Sequence, residues 1–179
     1  RAGPAYGGSC FPKDTRALID TGNKFKTNLS IVKTVVNSND KRKTLLIKKV
    51  EKILKGNLVN KIITFLGVTF KPNTDDMREA SSIPMIKYLN KKNSKIKYYD
   101  PSGKKNDFKG LKNVNYCNTI SSACHKADLI IIHTEWNDFK LLNFKKLTKK
   151  KKFKIYDMRN MYSPSIMKKL KIDYFGIGR

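Results

Sequence analysis

The sequence predicts an α/β fold: a helical segment over residues 1–56, then a Rossmann-like parallel sheet over residues 57–179. Three observations carry this reading. In residues 29–54, positions such as Leu29, Val32, Val36, Leu46, Val50 and Ile53 recur at largely helical spacing, with lysines between them. From Lys61 onward, short apolar runs alternate with helical stretches, the pattern of a parallel sheet covered on both faces. Between the two regions, "KGNLVN" supplies a Gly-Asn break where one segment can end.

The elements follow in order. "PKDTRALIDTGNKF" reads as a first helix, with Pro12 in the first turn, where proline is tolerated. "KIITFLG" is a short apolar run closed by glycine, a buried strand. "SSIPMIKYLNKK" is a helix carrying Pro84 in its first turn, and "KIKYYDP" is a strand stopped by Asp-Pro. "NVNYC" reads as a third strand, "SSACHKA" as a short helix, and "DLIIIHT" and "KIYDM" as two further strands. "SPSIMKKL" and "DYFGIG" close the chain, and no internal repeat appears.

At 179 residues the chain is long enough to bury a core. It opens on Arg1 without a charged-then-apolar leader, which reads as a fragment or a processed product. The longest apolar run, around Leu129 to Ile132, is too short to span a bilayer. Cys10, Cys117 and Cys124 form an odd set with neither disulfide nor zinc spacing, so no metal is expected and a reducing, cytoplasmic setting fits. The net charge of +25 raises the question of nucleic acid. Yet 33 of the 39 basic residues are lysines, scattered between apolar segments, as an AT-rich coding sequence would produce. Nucleic-acid binding is therefore not the expected main function, although a positive field steers anionic ligands of any kind.

The stretch "YGGSCFPKD" holds the most chemistry. Gly7 and Gly8 leave room for a ligand or a second backbone near Cys10. Cys10 is expected just before the helix that Pro12 begins, where the helix dipole and the nearby Lys13 favour a thiolate. Asp14, one turn on, is placed to orient water or handle a proton. Spacing alone leaves a plainer alternative open, a buried free cysteine beside a glycine turn.

Topology marks a second site. Ligands of parallel α/β sheets bind beyond the carboxyl ends of the strands. Lys71 follows the "KIITFLG" strand, Thr134, Glu135 and Trp136 follow "DLIIIH", and Arg159 follows "KIYDM", so these residues are expected on one rim. Taken singly, each cation also reads as a solvated charge and Trp136 as a packing residue. No G-x-G-x-x-G follows the first strand, so this layer does not read as a dinucleotide site, and Asp100 is expected to form an Asp-Pro turn. His125 and His133 have no catalytic partner in view and read as structural.

"GPAYGGSCFPKDTRALI", "FLGVTFKPNTDDMREASS", "YYDP", "ADLIIIHTEWNDF" and "YDMRNMYSP" resemble, in order, motifs of the UDP-glucose/GDP-mannose dehydrogenase family. Ser9, Phe11, Pro12 and Lys13 look most like its UDP-glucose 6-dehydrogenase branch. The resemblance implies that residues 1–56 end a central domain and that residues 57–179 form a UDP-sugar-binding domain. It implies oxidation of a sugar C6 alcohol to a carboxylate in two hydride transfers to NAD. Cys10 would form a thiohemiacetal and then a thioester, with Asp14 assisting proton handling. Gly3, Gly7, Phe70, Lys71 and Arg159 would bind the UDP-sugar, and Lys13 and Arg78 would contact NAD. The implied partners are UDP-glucose, an N-terminal NAD domain upstream of Arg1, and a second copy docked through the long helix of residues 28–55. Ala5 stands where the family usually has glycine, a change that costs stability only if the position needs positive φ. A nucleotide-sugar-binding remnant without catalysis is a further reading, and a basic nucleic-acid-associated protein is the least favoured.

Overall fold

The computed structural model describes residues 3–178; Arg1, Ala2 and Arg179, at the outer edges of the two expected segments, lie outside the described residues. Two helices, α1 (Cys10–Lys24) and α2 (Ser30–Ile53), form a hairpin, followed by a six-stranded sheet and its covering helices. The strands are β1 (Ile62–Leu66), β2 (Lys95–Tyr99), β3 (Val114–Tyr116), β4 (Leu129–Ile132), β5 (Lys154–Asp157) and β6 (Asp173–Gly176). All five pairings are parallel, in the order β3-β2-β1-β4-β5-β6. That order is the doubly wound one, and its switch point lies between β1 and β4.

The central strands β1, β4 and β5 form here with side chains buried on both faces. Alternation sorts them: Ile63, Phe65, Leu129 and Ile131 face one apolar cluster, and Leu66, Ile130 and Ile132 the other. The first cluster is closed by α2 and by α3 (Ser82–Lys91), through Leu46, Val50 and Ile53 and through Met85, Ile86 and Leu89. The second is closed by α4 (Ile120–Cys124), α5 (Phe144–Thr148) and α6 (Pro164–Lys169), through Cys124, Phe144 and Met167. Thus α2 serves two neighbours. Its first half pairs with α1, while its last turns enter the core of the sheet layer.

The expected α/β class and parallel sheet are what the chain adopts, with three local differences. The first helix begins at Cys10, not after it, which makes Pro12 the third helical residue. The lysine run 145–152 opens with a helix, α5, that its composition hides; Asn143 caps it by accepting a hydrogen bond from the Lys146 N–H at 3.2 Å. "NDF" occurs twice, at Asn106–Phe108 and Asn137–Phe139, and each copy makes a 3-10 turn that buries its phenylalanine. Asp100 does close a turn: its carbonyl accepts from Gly103 N–H, and its carboxylate accepts from the backbone N–H groups of Val68 and Ser102. Among the described residues, no helix is long and apolar enough to cross a membrane.

Candidate active site

Three loops meet at the start of α1. The loop before Cys10 is held from below by α2: Asn39 Oδ1 accepts from Tyr6 N–H (2.9 Å), and Asn39 Nδ2 donates to the Tyr6 carbonyl (3.2 Å). Arg42 donates to the carbonyls of Pro4 (2.6 Å) and Gly3 (2.9 Å). The loop is held from the side by residues 70–79. Gly8 N–H donates to the Arg78 carbonyl (2.8 Å), and Gly8 has φ +87°, a left-handed value that favours glycine. A Cβ on Gly8 would stand 2.8 Å from the Phe70 ring, and one on Gly7 would stand 2.9 Å from the Glu79 carbonyl oxygen. The space left by the glycines is therefore filled by the protein's own Phe70 and Glu79. Ala5 is not among the residues with positive φ, so its methyl group carries no backbone strain.

Glu79 ties these loops to both helices. Its carboxylate accepts from Arg16 Nη1 (3.0 Å) on α1 and from Lys43 Nζ (2.7 Å) on α2. Those two hydrogen bonds, Arg16 first, pull its pKa down to about 2. Cys10 is exposed at the head of α1, with its sulfur 3.6 Å from Ser9 Oγ. It opens into a cavity of about 860 Å³ whose lining includes Gly8, Lys13, Arg16, Arg78 and Glu79. Arg78 forms a two-point pair with Asp76, Nε to Oδ1 and Nη2 to Oδ2, both at 2.9 Å. That pairing raises the guanidinium's pKa and lowers the carboxylate's. Asp14 lies outside this lining and pairs with Lys13 at 3.4 Å, both side chains well exposed.

The second expected site forms at the switch point of the sheet. Arg159, which follows β5, donates from Nε to the His133 carbonyl (2.9 Å) and from Nη2 to the Phe70 carbonyl (2.8 Å). Its Nε also lies 2.7 Å from Glu135 Oε2. One side chain, 13% exposed, thus joins the loops after β1, β4 and β5. Its burial lowers the guanidinium's pKa, which the Glu135 charge opposes. A Cβ on Gly3 would stand 2.8 Å from Arg159 Nη1, so the two sites touch. Lys71 is exposed next to Phe70, with its ammonium 5.3 Å from the ring centroid. His133 is fully buried, bonded to Ser81 Oγ (2.8 Å) and Thr134 Oγ1 (3.1 Å). Burial, then the Arg159 charge, pushes its pKa down to about 3, so the ring is neutral and structural. Trp136 packs into the second apolar cluster.

Cys10, Lys13 and Arg78 therefore line one cavity, Gly7 and Phe70 pack against Glu79 and Gly8 of its lining, and Gly3, Lys71 and Arg159 gather beside it. Sequence reasoning missed Arg16, Asn39, Arg42, Lys43 and Glu79, whereas Glu135 was expected on the rim and is found there beside Arg159. One signal was available. The polar run "NSNDKRK" interrupts the apolar spacing of α2, and within it Asn39 is buried.

Comparison with known proteins decides the family. The UDP binding domain of the UDP-glucose/GDP-mannose dehydrogenase family matches residues 64–164, more than half of the chain. The chain belongs to that family. The family's central domain matches residues 1–41. The UDP-glucose 6-dehydrogenase of Rickettsia felis is 39% identical over 180 residues, covering 99% of this chain and 40% of that protein. The one from Rhizobium meliloti is 39% identical over 179 residues, covering 99% of this chain and 41% of that protein. The solved UDP-glucose dehydrogenase of Pyrobaculum islandicum superposes with a TM-score of 0.80 at 27% identity, covering 97% of this chain and 38% of that one. The chain thus spans about 40% of the length of these relatives.

Proposed function

We propose that this chain is the cysteine-bearing and UDP-sugar-binding part of an NAD-dependent UDP-glucose 6-dehydrogenase. Residues 1–56 end its central domain, and residues 57–179 form its UDP-sugar-binding domain. The observation that carries the reading is the position of Cys10. It is exposed at the first residue of α1, on a cavity whose wall is fixed to the carboxyl end of β1 through Phe70 and Glu79.

In the proposed reaction, the C6 alcohol of the sugar loses a hydride and a proton to become an aldehyde. Cys10 Sγ then bonds to C6 and the carbonyl oxygen takes a proton, giving a thiohemiacetal. Loss of a second hydride and that proton leaves a thioester. Water cleaves it, releasing the carboxylate and restoring the thiol. Asp14, one turn along α1, handles protons through water. Phe70 and Lys71, at the switch point, hold the UDP moiety. Gly3 and Gly7 would line the sugar site through their backbone, their missing side chains making room for Arg159 and for Phe70 and Glu79, and Arg159 keeps the strand ends in register beside it. NAD would accept the hydride in both oxidations.

The residues present fit NAD only in part. Gly67 does follow β1, but a Cβ there would meet Thr134 at 2.5 Å, so this glycine serves packing, and no dinucleotide glycine loop continues from it. Lys13 and Arg78, two cations on the Cys10 cavity, suit the pyrophosphate. The principal NAD domain, with the family's catalytic lysine and asparagine, is expected on a segment preceding Arg1. Association through α2 and a cytoplasmic setting complete the proposal.

Calorimetry with the 179-residue chain tests the binding half of this reading. UDP-glucose is expected to bind, and Lys71→Ala to weaken it by about 1.5 kcal/mol, the lower range for a charge-assisted hydrogen bond. Unchanged affinity in that variant removes Lys71 from the site. No NADH is expected from the chain alone.

A further inference from the structure

The amino rim of the sheet, opposite the Cys10 and Phe70 site, holds a second cavity, of about 880 Å³. Lysines reach it from α5 and from the segments before β1, β5 and β6, while the segment before β4 contributes Asp128. Lys55 and Lys61 flank the segment before β1, Lys145 lies on α5, Lys151, Lys152 and Lys154 lead into β5, and Lys171 precedes β6. Seven of its twelve lining residues are lysine, against 33 of 179 in the chain, so composition alone does not account for the concentration. Its carboxylates are Asp128 and Asp173. Asp128 is already engaged, by Lys150 and by the Ile62 N–H at 2.9 Å. Among the described residues, none of the seven ammonium groups is ion-paired. The carbonyl ends of α2, α5 and α6 favour Lys55, Lys145 and Lys171 but leave the other four unexplained.

We propose that this cavity binds a polyphosphate anion, the chain of three or more phosphates found in a nucleoside triphosphate or in inorganic polyphosphate. A single phosphate carries about two negative charges and leaves most of the seven lysines uncompensated. Lysine is a compact charge on a flexible stem, suited to a chain that presents oxygens in many directions. The aromatic residue in the lining, Phe153, is buried at 7% exposure, so nucleic-acid bases have no ring to stack on. Such an anion binds away from the catalytic rim and relieves the mutual repulsion of the lysines, so it stabilises the fold.

The test is calorimetry of the 179-residue chain with tripolyphosphate and with ATP at about 0.15 M salt, an ionic strength that screens weaker surface attraction. The triple variant Lys145→Gln, Lys151→Gln, Lys152→Gln removes three exposed charges and is expected to bind roughly tenfold more weakly. Lys87→Gln, an exposed position on α3 outside this lining, should bind tripolyphosphate as the parent does. Tripolyphosphate should also raise the melting temperature of the parent chain and not that of the triple variant, whose own fold circular dichroism checks. Equal affinities for the two ligands assign the phosphate chain alone, and tighter ATP binding assigns a nucleotide; both uphold the proposal. Absence of binding, equal affinity in the triple variant, loss of binding in Lys87→Gln, or tighter binding of a short single-stranded DNA each overturn it.

Discussion

At the carboxyl rim of the sheet, Arg16, Arg78 and Arg159 each bond to a carboxylate, and Arg42 to two backbone carbonyls. These are all the arginines among the described residues. At the amino rim, seven lysines share one cavity with no ion pair to a carboxylate among the described residues. The difference is one of geometry as much as of charge. A guanidinium offers several donors in a fixed fork and can join groups from separate loops, as Arg159 does. An ammonium on a four-carbon stem supplies charge without direction. One rim is organised to hold atoms in place, and the other to attract.

Removing one positive charge from each rim breaks or sharpens that contrast. Arg159→Met leaves Glu135 and two carbonyls without their donor in a mostly buried setting, and should lower unfolding free energy by about 3 kcal/mol. Lys152→Met, at an exposed position on the other rim, should change it by less than about 0.5 kcal/mol. Urea denaturation of the two variants reads both values. Equal losses would show that the arginine bonds hold nothing that the lysines do not.

Glu79 gives a smaller, pH-dependent effect. Its pKa falls from 4.5 to about 2 on folding, so the stabilisation is fully present above pH 4.5 and is lost as pH drops toward 2. The side chain is about one-third exposed, and with solvent screening the contribution is roughly 1 kcal/mol. Glu79→Gln should therefore be less stable than the parent at pH 6, and the gap should close as pH falls from 4.5 to 2. A gap that stays constant across that range would mean that the carboxylate charge is not what joins α1 and α2 to the 70–79 loop.

Local pattern carried the fold, and long-range pairing carried what it left out. Strands buried on both faces read as apolar runs, so β1 and β4 were legible from "KIITFLG" and "DLIIIHT". Alternation along those runs then assigned each side chain to a face. Helix α5 was hidden because five residues in a lysine run hold no periodicity. Cys10 and the rim residues Lys71 and Arg159 stood out by motif and by strand end. Glu79 did not, because its partners Arg16 and Lys43 lie 63 and 36 residues away. Arg159 was legible as a rim cation, but its bonds to Phe70, His133 and Glu135 depend on three strand ends meeting in space.

Oxidation through Cys10 is the central claim of the proposed function, and it is tested with this chain joined to the N-terminal NAD domain that the proposal expects. The parent should form NADH from UDP-glucose and from its C6 aldehyde, whereas Cys10→Ala should form none from either. Normal aldehyde oxidation by Cys10→Ala would contradict the account.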